Sequence, residues 1–275
     1  MAFPMQAGPG ENGVDLPSTA RMHDYWLGGS HHTEGDRAFA DHLAMVGPLI
    51  PYLVRTQRAL LRRIVRYLLG QGVRQFVDIG SGLPTCGQVH EVAEGSDPPA
   101  RVLYVDNDPE VAADGEDLLA GNDNAAFLAL DFREPDRVLS DPAATRLLDP
   151  QQPVALLALA ALQMIPDSDD PAGVVAGYLR AMCPGSYLAL THSGPDPQLA
   201  YACEMFDQMK FGPRHALYLR DPVAVQLFFT GLELVPPGIV PLPLWHPDPE
   251  RDPTLQNPGQ VPVHVGVGRK PGFVD

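Results

Sequence analysis

Apolar positions along the 275-residue chain follow two different periods. From Arg55 to Leu69 they fall at helical spacing: Leu60, Leu61, Ile64, Val65, Leu68 and Leu69 form one stripe, and Gly70 fits the stop. Arg58, Arg62, Arg63 and Arg66 lie off that stripe and read as a solvated face. Two shorter helical stretches come earlier. "TARMHDYWL" has Ser18 as its N-cap and Gly28-Gly29 as its stop, and a second stretch covers 34–46. Beyond Gly70 the apolar runs become short and compact. "QFVDIG", "RVLYVDND", "AFLALDF", "PVALLALAAL" and "GSYLALTH" read as strands. Asp108-Pro109, Asp170-Pro171 and Asp221-Pro222 read as cap and first residue of intervening helices. Such alternation predicts an α/β fold with a mostly parallel sheet and helices on both faces. The last two apolar segments, "LELVPPGIVPL" and "VPVHVGVGRK", have no helix between them and predict an antiparallel hairpin on one sheet edge.

Composition narrows the partners. There are 34 acidic against 19 basic residues, for a net charge of -15. A nucleic-acid substrate calls for a basic face, so the expectation is a small or cationic partner and no nucleic acid. The 3 cysteines form no C-x-x-C pair, and the expectation is no metal site and no disulfide framework. No window approaches the roughly 18 apolar residues of a membrane span, and "MAFPMQAGPGENG" lacks the pattern of a signal peptide. A cytoplasmic setting follows as the default. Residues 1–17, rich in Gly and Pro, read as a mobile tail ahead of a single domain, 18–275.

The candidate chemistry lies at strand ends. "FVDIGSGLP" carries Asp78, Gly80, Ser81 and Gly82 where a strand runs into a turn. The dinucleotide fingerprint G-x-G-x-x-G would need a third glycine where Thr85 stands. That departure, with Asp78 two residues before Gly80, disfavours a pyrophosphate and a nicotinamide-dependent oxidoreductase. S-adenosyl-L-methionine (SAM) suits the pattern better, since its ammonium and sulfonium are cationic and it has no phosphate. Gly80 and Gly82 would let backbone approach the methionine part. Asp106 ends the second strand and could accept from both ribose hydroxyls, with Asn107 beside it. Asp131 ends the third and could accept from the adenine amine, while Phe132 flanks the ring.

The chain resembles the class I SAM-dependent methyltransferases, and more closely a bacterial family known only as S-adenosyl methyltransferase. "ARMHDYWLGG", "QFVDIGSGLPTCGQVHEVA", "RVLYVDNDPEV", "GSYLALTH", "FFTGLELVPPGIVPLPLWHPD" and "VGVGRKP" carry the resemblance, which covers most of 18–270. It implies a Rossmann-like methyltransferase sheet, SAM as cofactor and an unidentified methyl acceptor. Two departures stand out. The family continues "LGG" with a Lys and an Asp-Asn pair where this chain has Ser30, His31 and His32. It also has a His after the fourth strand, where Gln163 stands here. These departures keep open a second reading, a SAM- or small-ligand-binding protein that has lost transfer.

On the acceptor side, His192 ends the fifth strand and could be a base or a plain strand cap. Related folds place an N-terminal lid over SAM, which makes 18–58 a candidate lid. His23 and Gln163 would then face the acceptor, and Arg21 and Tyr25 the methionine end; Arg58 competes with Arg21 for the carboxylate. Met205, Phe206 and Met209 form an apolar stripe that could wall the acceptor pocket or fill the core, with Trp245 and His246 on the same rim.

Overall fold

A computed structural model of the protein describes residues 17–197, 199–201, 204, 217–253 and 257–272. Three helices come first: α1 (Thr19–Trp26), α2 (Glu34–Val46) and α3 (Leu49–Gly70). The alternating part follows, with strands β1 (Gln75–Ile79), β2 (Arg101–Asp106), β3 (Ala125–Ala129), β4 (Val154–Leu159) and β5 (Tyr187–Ser193). Its described helices are α4 (Val89–Val92), α5 (Pro109–Leu118), α6 (Pro135–Ser140), α7 (Pro142–Leu147), α8 (Pro171–Ala181) and α9 (Pro222–Gln226). The chain closes with the two-residue strands β6 (Glu233–Leu234) and β7 (Val240–Pro241) and the long β8 (Val263–Arg269).

The sheet runs β3-β2-β1-β4-β5-β8-β6, and β7 also pairs with β8. The pairs from β3 to β5 are parallel, whereas β8 is antiparallel to β5, β6 and β7. The expected hairpin is therefore a long strand facing a broken one, because "LVPPGI" cannot sustain a ladder where Pro236 and Pro237 lack N–H donors. Strand order reverses between β1 and β4. Such a switch point leaves a crevice at the carboxyl ends of the strands.

Each strand alternates its side chains between two cores. Phe76, Tyr104, Leu157 and Ala189 face Leu60, Leu61, Ile64 and Leu68 of α3. Val77, Leu103, Leu156 and Leu190 face Val175 and Tyr178 of α8, with Phe228 and Phe229. Full burial of such side chains is worth about 1.5–3 kcal/mol each. Alternation also decides where Asp78 points: it shares the face of Phe76 and so looks toward α3.

Asp108, Asp141, Asp170 and Asp221 each cap a helix that begins with proline, their carboxylates accepting from backbone N–H groups of the first turn. Two helix readings need correction. Ser18 precedes α1 but makes no side-chain cap; its backbone N–H instead donates to Asp36 at 2.8 Å. Helix α3 begins at Leu49 rather than Arg55, and its arginines are not a uniformly solvated face. Arg63 is buried, donating to the carbonyls of Trp245 and Leu242 and to Asp252. Trp245 and His246 accordingly pack on Tyr67, toward the far end of α3, and not on an acceptor rim.

Candidate functional site

The turn after β1 is built by its glycines. Gly80 and Gly82 have φ of 62° and 61°, a region that side chains disfavour. A Cβ on Gly80 would lie 2.8 Å from the Cβ of Ala161, just past β4, and 3.6 Å from the Phe132 ring. The turn leans on β2: Gly80 donates to the Val105 carbonyl at 2.8 Å, and Gly82 to Asp106 Oδ2 at 2.9 Å. Gln88 braces it from below, its Nε2 donating to the Ser81 and Leu83 carbonyls. Only the four-residue α4 follows, so no long helix points its N-terminus at the turn, as a dinucleotide site requires.

Three ionisable groups gather under this turn. Asp78 is 4 % exposed, and no described residue hydrogen-bonds its side chain. Burial raises its carboxyl to about 7, Arg58 opposing and Asp106 adding to the rise. Burial, with Arg58 adding to it, lowers the His23 imidazole to about 4. The Arg58 guanidinium is itself lowered by burial, partly offset by Asp78, and its buried Nη1 has no hydrogen-bond partner. Arg58, His23, Asp24, Ser81, Gly82 and Thr85 line one cavity of about 30 Å3. That is room for about one water, against 300 Å3 or more for a drug-sized ligand.

Helix α1 forms one wall of the cavity, and Asp24 ties it to the turn. This carboxylate, 1 % exposed, accepts from Thr85 Oγ1 at 2.9 Å, the His31 N–H at 2.7 Å and His32 Nδ1 at 3.1 Å. His32 is thus a latch to α1 and not a free loop residue. Arg21 is committed elsewhere: it donates to Asp36 at 2.7 Å and to Glu110 at 2.5 Å, tying α1 to α2 and α5. Tyr25 donates to Asp41 of α2 at 2.9 Å and packs on His32. The expectation that Arg21 and Tyr25 point at the methionine end is therefore corrected. Both serve the packing of α1 on α2, and of the two candidate arginines it is Arg58 that lines the cavity.

On the far side of the turn, Asp106 uses one oxygen for Gly82 and the other for the Asp108 N–H at 3.1 Å. Burial raises its carboxyl above the usual carboxylate range, against the pull of those N–H groups. Each oxygen keeps a lone pair. Asn107 follows, half-buried, in the link to α5. Strand β3 ends at Ala129, so Asp131 lies beyond it, and Arg133 grips it: Nε and Nη2 donate at 2.9 and 2.6 Å. Burial raises the Asp131 carboxyl, but Arg133 outweighs that and holds it below its ordinary value. An adenine amine would have to share this carboxylate with Arg133. Phe132 is buried beside Gly80, with its carbonyl accepting from Tyr178 at 2.9 Å.

The acceptor-side candidates are engaged in packing. His192 is fully buried; Nδ1 donates to the Ser193 carbonyl at 3.0 Å and Nε2 accepts from Arg220 at 2.8 Å. Burial lowers it to about 4. With both ring nitrogens committed it is no catalytic base, which corrects that expectation. Gln163 does not face an acceptor either: its Oε1 accepts from the Ser193 N–H at 3.0 Å and its carbonyl from the Tyr218 N–H at 2.8 Å. Met205, Phe206 and Met209 lie outside the described residues.

The sequence reading missed the Asp24–Thr85 contact and the Gln57–Thr191–Ala160 link. Thr191 donates to Gln57 Oε1 at 3.3 Å and accepts from the Ala160 N–H at 2.8 Å, holding Ala160 at φ 63°. A left-handed alanine beside a ligand crevice is a strained position of the type found at functional sites. Only the nearby Gln163 had been noticed. Among the described residues no group of three or more His, Cys, Asp or Glu could hold a metal, and no helix is long and apolar enough to cross a membrane.

The chain is similar in structure to a DUF574 family protein from Streptomyces avermitilis MA-4680, at 32% identity and a TM-score of 0.84, over 93% of this chain and 98% of that one. It is likewise similar to a candidate methyltransferase from Thermobifida fusca YX, at 35% identity and a TM-score of 0.82, over 94% and 96% of the two chains. An O-methyltransferase family protein from Burkholderia thailandensis shares the fold alone, at 13% identity and a TM-score of 0.51, over 94% of this chain and 65% of that one. No curated protein matches. The family model described as S-adenosyl methyltransferase matches residues 10–271. With its class I sheet and its glycine turn between strand-end carboxylates, the chain belongs to the S-adenosyl methyltransferase family, and its cofactor is SAM.

Proposed function

We propose that the protein transfers the methyl group of SAM to a small-molecule acceptor, using the crevice between α1 and the carboxyl ends of β1, β2 and β4. The observation that carries the reading is the pair Gly82–Asp106. A carboxylate oriented by two backbone N–H groups, with a lone pair left on each oxygen, is suited to the two hydroxyls of a ribose. Asp78, buried near the methionine end, favours an ammonium there. Gly80 and Gly82 keep the turn free of side chains where the protein backbone must approach the ligand.

SAM supplies, when bound, a methyl carbon already activated by a sulfonium. The chain's residues position rather than activate. Ala161 against Gly80 fixes the spacing of β1 and β4, and the Thr191–Gln57 contact fixes the Ala160 bend beside it. His192 and Gln163, at the ends of β5 and β4, are committed to hydrogen bonds and offer no free proton acceptor. The net charge of -15 supports a small acceptor over a nucleic acid.

Incubation of the protein with methyl-labelled SAM and a cell extract tests the reading. Label is expected in the dialysable fraction. Label confined to protein or nucleic acid would overturn the small-molecule acceptor, and absence of any transfer would favour the binding-only alternative.

A further inference from the structure

We infer that Arg220 is a positioning residue for methyl transfer: it sets the turn that follows β4, so that this wall of the crevice is in place before the acceptor arrives. The inference rests on the function proposed above and extends it to a residue outside the cofactor groups.

The turn is irregular and lies against the site. The chain leaves β4 at Leu159, bends at Ala160 with φ of 63°, and makes a short 3-10 turn over Leu162–Met164. The Cβ of Ala161 stands where a side chain on Gly80 would strike it, so the turn faces the glycine turn across the crevice. Thr191 pins the first residue by accepting from the Ala160 N–H. Further along, Arg220 takes hold. Its Nε and Nη2 donate to Asp167 Oδ1 at 3.0 and 2.6 Å. Nη2 also donates to the Ile165 carbonyl at 2.8 Å, and Nη1 to the Leu162 carbonyl at 3.2 Å. The remaining N–H goes to His192 Nε2 at 2.8 Å. A guanidinium has five N–H donors. Four of them hold the turn, and one anchors the group to the end of β5.

The backbone supports the same clamp. The Tyr218 N–H donates to the Gln163 carbonyl at 2.8 Å, and the Arg220 N–H to the Ser193 carbonyl at 3.0 Å. Arg220 is buried, with its guanidinium carbon 5.7 Å from the centre of the Phe228 ring. A 3-10 turn has no sheet ladder to fix it, and a planar fork with fixed N–H directions does so where a lysine ammonium would not. Met164, 40 % exposed, lies between Leu162 and Ile165, the two residues whose carbonyls are gripped. The clamp therefore fixes what the turn presents. Placement of this kind matters for an in-line displacement, in which a shift of about 1 Å can cost about 100-fold in rate. His192 supplies one contact of the five, so its loss leaves the turn held.

Two variants separate positioning from plain stability. Arg220→Lys keeps a cation but loses the fork. Asp167→Ala removes two of the contacts from the turn side, and its side chain is 88 % exposed, so water can take its place with little harm to the fold. Each is compared with the parent by initial rates of label transfer from methyl-labelled SAM to the dialysable fraction of a cell extract, per folded molecule and over a series of extract dilutions. SAM affinity is measured in parallel by calorimetry. The maximal rate is expected to fall about 10-fold in Asp167→Ala and about 100-fold in Arg220→Lys. SAM affinity is expected to stay within about twofold of the parent. Unchanged maximal rates per folded molecule, whatever the loss of stability, overturn the positioning role and leave methyl transfer standing. So does a SAM affinity that falls in step with the rate, which places the effect at the donor. If Arg220→Lys does not fold, Asp167→Ala decides alone. If the parent transfers no label, the function proposed above falls and the positioning role with it.

Discussion

Gly82 donates its backbone N–H to the carboxylate of Asp106 at 2.9 Å, tying the first glycine turn to the end of the neighbouring strand. The contact holds the carboxylate in place before any ligand arrives. On the function proposed above, replacing Asp106 by Ala removes the acceptor of the ribose hydroxyls and releases the turn. SAM affinity should fall by about 1.5–3 kcal/mol, the usual worth of a hydrogen bond to a charged group. Calorimetry on the folded variant checks this, and unchanged affinity would remove Asp106 from the site.

Gly80→Val should be more severe. A left-handed φ costs a side chain about 1–2 kcal/mol, and the new Cβ would press on Ala161 at 2.8 Å. A lower urea midpoint together with lost SAM binding is the expected pair of results. A variant that folds and binds as the parent does would show that the turn is not the cradle.

Asp78 gives a pH dependence with a definite sign. Its carboxyl is raised from 3.8 to about 7, so the folded protein holds a proton there that the unfolded chain has released. Its contribution to stability is full below about pH 4 and is lost as pH rises through about 7, by an amount on the order of 4 kcal/mol. Ligand binding should run the other way, because an ammonium prefers the ionised acid: SAM affinity should climb between about pH 6 and pH 8. Asp78→Asn should flatten both profiles, as denaturation and calorimetry across that range will test.

Arg21→Leu should destabilise the protein by about 3 kcal/mol, since it leaves the fully buried Asp36 without its cation. Tyr25→Phe, which loses a partly exposed bond to Asp41, should cost less than about 1 kcal/mol. Neither should change SAM affinity by more than about 0.5 kcal/mol where the fold is intact. A large loss of affinity at full stability would restore a direct ligand contact.

For His192, the variant His192→Leu leaves an Arg220 N–H unpaired and should cost about 1–3 kcal/mol. Methyl transfer per folded molecule should persist, whereas loss of a general base would lower it about 10²–10⁴-fold. Melting curves and initial rates on one preparation separate the two.

What was legible in the sequence was local. The placement of Asp78, Gly80, Gly82 and Asp106 at strand ends and in a turn could be read because a strand end, a glycine turn and an acid are written in a few consecutive residues. The helix-opening Asp-Pro pairs are equally local. What failed depended on partners distant in the chain. Asp24 meets Thr85 across 61 positions, and Arg63 meets the Trp245 carbonyl across 182. His192 looked like a base until Arg220, 28 residues on, was seen to occupy its second nitrogen. Periodicity assigned the arginines of α3 to solvent because it shows which side of a helix is apolar, not what later folds over the other side.

Thr85 stands where a dinucleotide motif would have its third glycine, and its hydroxyl fastens α1 by way of Asp24. One position therefore settles two matters. Its side chain gives up the close helix packing that a pyrophosphate needs, and in exchange supplies the clasp of the N-terminal helix. On the function proposed above, the donor enters as that clasp opens. A protease that cuts between α1 and α2 should then work faster while ligand is entering and more slowly once it is seated, so cleavage rate would report the traffic through the site without any knowledge of the acceptor.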